Sequence, residues 1–418
     1  MKFIVNGGRK LSGTVTVSGS KNAATPIIAS TILTDEPCVL KNIPRIRDVE
    51  TMLEILESMG GKVRWIDPHT VEIVNANLDP QRINQKLVGR IRSSILLVGP
   101  LLARFGEASF VMPGGCRIGT RPIDTHLEAF KELGASITFE DGIYHLSLSK
   151  KPASNVTLRE FSVTATENMM MLGARHAITV HLAATEPHVT DLGIFLKKLG
   201  AHVSGLGMHT VSVSLNSAIK GTITHSVIHD EVEAGTFAIL AAATKSDLVI
   251  EGAPIDSLEA TLSKLKEMGT IFEASPGRLS VAGHNSLITA AKIETRMYPG
   301  IPSDLQAPFG ALATQAQGTS LIFDTLYDGR LRYIDQLKQM GADASVLDPH
   351  RALVKGPSVL QGTKLDMLDL RAGATLIIAA LIAEGETVLE GAEQIDRGYE
   401  RIDERLRAIG ADIQRTNN

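Results

Sequence analysis

The chain has 418 residues, of which 44% are hydrophobic and 21% charged, a globular composition with length enough for two or three domains. Its net charge of −4 argues against general binding to nucleic acid or to an anionic membrane, and its longest apolar runs, such as 95–103 and 375–383, are too short to span a bilayer. Two cysteines, Cys38 and Cys116, are too few for a disulfide framework; with no signal-like start, they point to a cytoplasmic protein.

In chain order, alternating runs at 14–17, 144–148 and 211–215 read as strands. Between such runs one pattern returns six times at a spacing of roughly 70 residues: an amphipathic helix, a closing glycine, then another strand-like run. The copies run from Arg47 to Gly60, Ile123 to Gly134, Val189 to Gly200, Ile255 to Gly269, Arg332 to Gly341 and Tyr399 to Gly410. An early Asp or Ser serves the helix start, Leu, Ile and Met at three- and four-residue spacing form a buried face, and the glycine takes the left-handed position past the helix end. A second helix per copy is apolar all round and so predicted to be buried: 23–33, 94–103, 165–174, 234–243, 305–316 and 372–383. Six units of mixed α/β structure, grouped three and three, predict two similar lobes with a cleft between them.

The starts of the buried helices carry the chemically interesting residues, because helix N-termini attract anions. Lys21 and Asn22 open the first; they read either as a phosphate-binding start or as a cap with a solvated lysine. Arg90 and Arg92 open the second and Arg371 the sixth, where a cation opposes the helix dipole unless an anion is its partner. Arg397 precedes the last amphipathic helix. Asp304 follows Pro299 and Pro302 at the fifth, as a first-turn acid or as a rigidly held general base. The stretch 113–124 has three glycines, Cys116, Arg117 and Arg121. Nearby guanidinium charge favours a thiolate, so the stretch reads either as a lid over an anionic substrate or as an ordinary surface turn. Histidines 126, 176, 181, 188 and 229 show no metal-ligand spacing.

Together these motifs resemble the enolpyruvyl transferases. The matching stretches run from Ser18-Gly19-Ser20-Lys21-Asn22 to Glu400-Arg401-Ile402-Asp403-Glu404, nearly the whole chain. The cysteine loop 113–124 is the most specific of them; it separates the branch acting on UDP-N-acetylglucosamine from 5-enolpyruvylshikimate-3-phosphate synthase. The resemblance implies a two-lobed inside-out α/β barrel of six repeated units with buried helices and outer sheets. It implies a first lobe of residues 22–229, carrying the Cys116 lid, and a second of 1–21 plus 230–418. It further implies transfer of the enolpyruvyl group of phosphoenolpyruvate to the 3′-hydroxyl of UDP-N-acetylglucosamine with release of phosphate, a step of peptidoglycan and cell-wall synthesis. The expected partners are these two small molecules, with no nucleic acid, membrane, metal or organic cofactor.

Residue by residue, the resemblance makes Cys116, Asp304, Lys21 and Arg397 catalytic. Cys116 would protonate the methylene carbon and react with the epoxide fosfomycin, and Asp304 would take the acceptor hydroxyl proton. Lys21, Asn22, Arg121, Arg371 and Arg397 would bind phosphoenolpyruvate, whose phosphate and carboxylate need several fixed cations. Asn22, Arg92, Arg121, Pro122, Ile123, Asp124, Thr125, Ser162, Val163, Asp304 and Leu326 would bind the acceptor, and Arg330 matches a further active-site arginine. The sequence departs from the family's pattern in four places. Thr164 replaces a usual glycine, Glu160 stands where many members have lysine, His188 ends a usual Arg-Glu-Pro-Glu run that reads Thr185-Glu186-Pro187-His188, and Glu231 ends a usual Pro-Asp-Arg run. An acid beside a diphosphate is unfavourable, so enolpyruvyl transfer to a different nucleotide or nucleotide sugar is the alternative.

Overall fold

The computed structural model describes residues 1–418 except 116–121, 149–151, 218, 286, 368 and 418. Helices form at all six copies of the amphipathic pattern: Arg47–Ser58, Asp124–Glu132, Pro187–Lys198, Glu259–Glu267, Tyr333–Gln339 and Ile402–Ala408. The closing glycine lies two residues beyond each, and its φ is between 93° and 100° in every case. A side chain strains that left-handed backbone, which is why glycine ends each copy.

The apolar helices are Lys21–Ser30, Val98–Phe105, Val163–His176, Glu231–Ala243, Ser303–Ala313 and Leu370–Ile382. Glu231–Ala243 is buried at every position, as a helix apolar all round must be. The second differs from the expected 94–103: residues Arg92–Leu97 wind as a 3-10 helix, and α-helix starts only at Val98. Pro100 suits this start, because a proline has no N–H to donate and is best accommodated in a first turn; Lys21–Ser30 and Ser303–Ala313 nevertheless carry Pro26 and Pro308 in their interiors.

The chain divides into two compact units. One comprises Met1–Ser18 and His229–Asn418, the other Gly19–Gly115 and Pro122–Ile228. In the first, Glu231–Ala243, Ser303–Ala313 and Leu370–Ile382 pack on one another inside a core that includes Phe237, Phe309 and Leu376. Three four-stranded sheets belong to this unit. In one, strand Lys2–Asn6 lies between Glu386–Glu390 and Asp412–Thr416, antiparallel to both. In another, Ser12–Thr16 runs parallel to Asp247–Ala253. In the second unit, Val98–Phe105 packs on Val163–His176 within a separate core around Ile27, Leu102 and Met170. Its sheets have four, four and three strands among the described residues. Where the chain passes from one unit to the other at Gly19, an added Cβ would lie 1.7 Å from the Asn42 carbonyl oxygen, so no other residue fits.

Candidate active site

Asp304 lies in the first turn of Ser303–Ala313, whose N-cap is Pro302 and which has no side-chain cap. Its carboxylate does not cap the helix. Instead Oδ1 accepts from Arg330 Nη1 at 2.6 Å and Oδ2 pairs with Arg371 Nη2 at 2.9 Å. Both guanidiniums are largely buried, with side chains 12% and 11% exposed. Burial opposes the charge of each arginine, but Asp304 outweighs it, with Tyr327 assisting at Arg330 and Tyr399 at Arg371, so both pKa values lie above the ordinary value. Arg371 is held in place from behind: Asp369 caps its helix by accepting from the N–H groups of Arg371 and Ala372, and the Tyr399 ring lies 5.5 Å from the guanidinium. The Nε of Arg330 is buried and meets no acceptor among the described residues.

A residue the sequence did not single out organises this corner. Asp324, fully buried, accepts from Ser303 Oγ at 2.6 Å and Thr295 Oγ1 at 3.1 Å, and from the N–H groups of Leu326 and Tyr327. It therefore fixes the residue before Asp304 and the turn leading through the exposed Leu326 to Arg330. Arg397 ends the 3-10 helix Ala392–Arg397. The preceding Asp396 is gripped through both oxygens by Arg415, at 2.7 and 2.8 Å, and Arg415 also holds the buried Asp403.

In the second unit, Lys21 is the first residue of Lys21–Ser30, whose N-cap Ser20 accepts from Ala23 N–H. It is not the solvated lysine that its local sequence allows, for its Nζ pairs with buried Asp48 at 2.7 Å. Asn22 follows it in the helix. Arg92 donates to the Pro122 carbonyl at 3.0 Å, while Arg90 is exposed. Gly114 and Gly115 press against this stretch: a Cβ would lie 2.0 Å from the Gly89 oxygen at the first and 2.9 Å from the Arg92 Cβ at the second. Ile123 is buried, Asp124 starts its helix, and Thr125 Oγ1 donates to Glu160 at 2.9 Å. Ser162 caps Val163–His176 by accepting from Ala165 N–H. Cys116, Arg117 and Arg121 lie outside the described residues. Among the described residues no group of three or more His, Cys, Asp or Glu is placed to hold a metal ion, and no helix is long and apolar enough to cross a membrane.

An acid held between two buried arginines, Arg371 fixed by the Asp369 cap and the Tyr399 ring, sets two guanidiniums against one carboxylate, an arrangement that can accept an anion. Residues 5–406 match the family described as EPSP synthase (3-phosphoshikimate 1-carboxyvinyltransferase). The chain belongs to this family of enolpyruvyl transferases and is an enzyme of that type. It is 42% identical over 418 residues to UDP-N-acetylglucosamine 1-carboxyvinyltransferase 1 of Carboxydothermus hydrogenoformans, covering 100% of this chain and 98% of the relative. It is 40% identical to UDP-N-acetylglucosamine 1-carboxyvinyltransferase of Halothermothrix orenii, covering 99% of each. Among solved structures, the fold is similar to that of the enolpyruvyl transferase NikO from Streptomyces tendae, with a TM-score of 0.88, 24% identity and coverage of 99% and 98%. EPSP synthase from Acinetobacter baumannii gives a TM-score of 0.75 at 19% identity, covering 99% of each chain.

Proposed function

We propose that the enzyme transfers the enolpyruvyl group of phosphoenolpyruvate to the 3′-hydroxyl of UDP-N-acetylglucosamine and releases phosphate, in peptidoglycan synthesis in the cytoplasm. Relatives of that name at about 40% identity over the full length support the acceptor. The observation that carries the chemistry is the grip of Arg330 and Arg371 on Asp304. Phosphoenolpyruvate brings a phosphate and a carboxylate, and a guanidinium exchanges one carboxylate partner for another at little cost. As Arg371 turns to the substrate, Asp304 Oδ2 is released to accept the proton of the attacking hydroxyl. The hydroxyl oxygen bonds to the carbon bearing the phosphate, and the methylene carbon takes a proton from Cys116. Loss of that proton's equivalent from the methyl group, with departure of phosphate, restores the double bond. Lys21, Asn22, Arg121 and Arg397 complete the anion-binding set in this reading, and Arg92, Pro122 to Thr125, Ser162, Val163 and Leu326 the acceptor set. The architecture we infer is the inside-out one of six units, three per lobe (22–229; 1–21 with 230–418).

The exposed carboxylate of Glu160 favours the second reading, a different nucleotide or nucleotide-sugar acceptor. Phosphate release from phosphoenolpyruvate, measured with and without UDP-N-acetylglucosamine and beside Asp304→Ala, decides. Release that depends on the acceptor and falls at least a hundredfold in the variant, about what one positioned acid–base group contributes, is the expected result. Binding of phosphoenolpyruvate without release would turn the assignment to the second acceptor class, and no binding would overturn both.

A further inference from the structure

A relay of hydrogen bonds in the unit that holds Ser162 and Val163 fixes the direction of one hydroxyl proton. Gly99 N–H donates to Asn168 Oδ1 at 2.7 Å. A backbone amide only donates, so this contact decides which end of the Asn168 amide is oxygen. Asn168 Nδ2 then donates its two protons, one to the Ile95 carbonyl at 2.9 Å and one to His126 Nδ1 at 3.1 Å. His126 Nδ1 must therefore present its lone pair. The ring is 3% exposed, and burial, with the Arg92 charge second, pushes its pKa down to about 3, so it is neutral and carries its one proton on Nε2. That proton goes to Thr164 Oγ1 at 2.9 Å. Thr164 is thus an acceptor on this side, and its own proton points elsewhere.

Among the described residues nothing accepts the Thr164 proton, nor the N–H of Val163 or Thr164 in the half-buried first turn of Val163–His176. The turn thus carries three donors without an acceptor among the described residues, and it contains no acid. The nearby acid, Glu160, takes its hydrogen bond from Thr125. Glycine, usual here in the family that the sequence resembles, has no hydroxyl, so the donor is a property of this chain.

We infer that Thr164 is a specificity-determining residue, whose hydroxyl, oriented by Asn168 and His126, donates to an anionic oxygen of the diphosphate of the acceptor. This rests on the acceptor reading above, which puts Ser162 and Val163 beside that molecule. It gives a second role to His126: an imidazole locked in one tautomer sets a neighbour's proton rather than exchanging its own.

The test compares Thr164→Val, Thr164→Gly and Thr164→Ser with the wild type, with calorimetric affinities for UDP-N-acetylglucosamine, UDP and uridine and the KM for phosphoenolpyruvate. A lost hydrogen bond to a charged oxygen weakens binding about tenfold or more. Val and Gly are expected to show that loss for both diphosphates, with uridine affinity and phosphoenolpyruvate KM unchanged, and Ser to restore it. The glycine variant keeps the test open should valine impair folding. Unchanged diphosphate affinity, or an equal loss for uridine, overturns the assignment. Wild-type binding of UDP without turnover of UDP-N-acetylglucosamine overturns the acceptor reading alone, and the UDP arm still decides Thr164; no binding of UDP overturns both.

Discussion

Glu167 lies fully buried in Val163–His176, and burial raises its carboxyl to about 8, opposed by His188 and reinforced by Glu186. In the fold it keeps its proton to about that pH, whereas an ordinary glutamate releases it near 4.5. Between these values the unfolded chain binds fewer protons, so the contribution of Glu167 is present in acid and lost as pH rises. The expected outcome is a melting temperature that falls from about pH 5 to about pH 8 in the wild type and falls less in Glu167→Gln; parallel curves would remove Glu167 from the account. None of this was legible in the sequence. Asp48, Asp324 and Glu167 follow no motif, because their partners lie 27, 21 and 21 positions away for Lys21, Ser303 and His188. Only the fold closes those gaps. Lys21 and Asp304 are visible as candidates from their places at helix starts; their partners Asp48, Arg330 and Arg371 are not.

Among elements, Leu370–Ile382 shows how a helix start can serve both stability and the site. Asp369 caps it through two backbone N–H groups, and one of them belongs to Arg371, whose side chain reaches Asp304. Loss of such a cap costs about 1 kcal/mol. Asp369→Ala is expected to lower the melting temperature and to raise the KM for phosphoenolpyruvate several-fold, with Asp369→Asn close to the wild type in both; an alanine variant with normal KM would separate the cap from the site. At this scale the sequence was informative. The six amphipathic helices were readable from apolar spacing and a closing glycine, since both are local requirements of a helix that ends against a core. Apolar spacing starts the helix near 94–103 four residues early, because it does not register the N–H that Pro100 lacks in the first turn of Val98–Phe105.

For the whole molecule, there are two separate cores, and three of the sheets recruit a strand from distant sequence: Lys2–Asn6, Ser12–Thr16 and Ile223–Ser226. The repeat announced where the amphipathic helices would lie; which strands pair was not readable, because pairing of Ser12–Thr16 with Asp247–Ala253 leaves no mark on either segment. Cys38 lies in the interior of the unit around Ile27, and burial pushes its thiol up to about 12. Fosfomycin is therefore expected to modify Cys116 and spare Cys38, with mass spectrometry of the peptides as readout. Modification of Cys38 in the native protein would show that this core opens readily.

The position of strand Lys2–Asn6 between Glu386–Glu390 and Asp412–Thr416 has a bearing on biosynthesis. Residues 19–228 hold nearly all of one core and leave the ribosome as one run, so that half has its own material to hand while translation continues. Lys2–Asn6, by contrast, is made about 380 residues before either neighbour. Its hydrogen-bonding edges stay without these partners until Glu386–Glu390 and Asp412–Thr416 have emerged, and through that interval Phe3 and Val5, both wholly buried in the finished protein, are apolar surface within reach of chaperones.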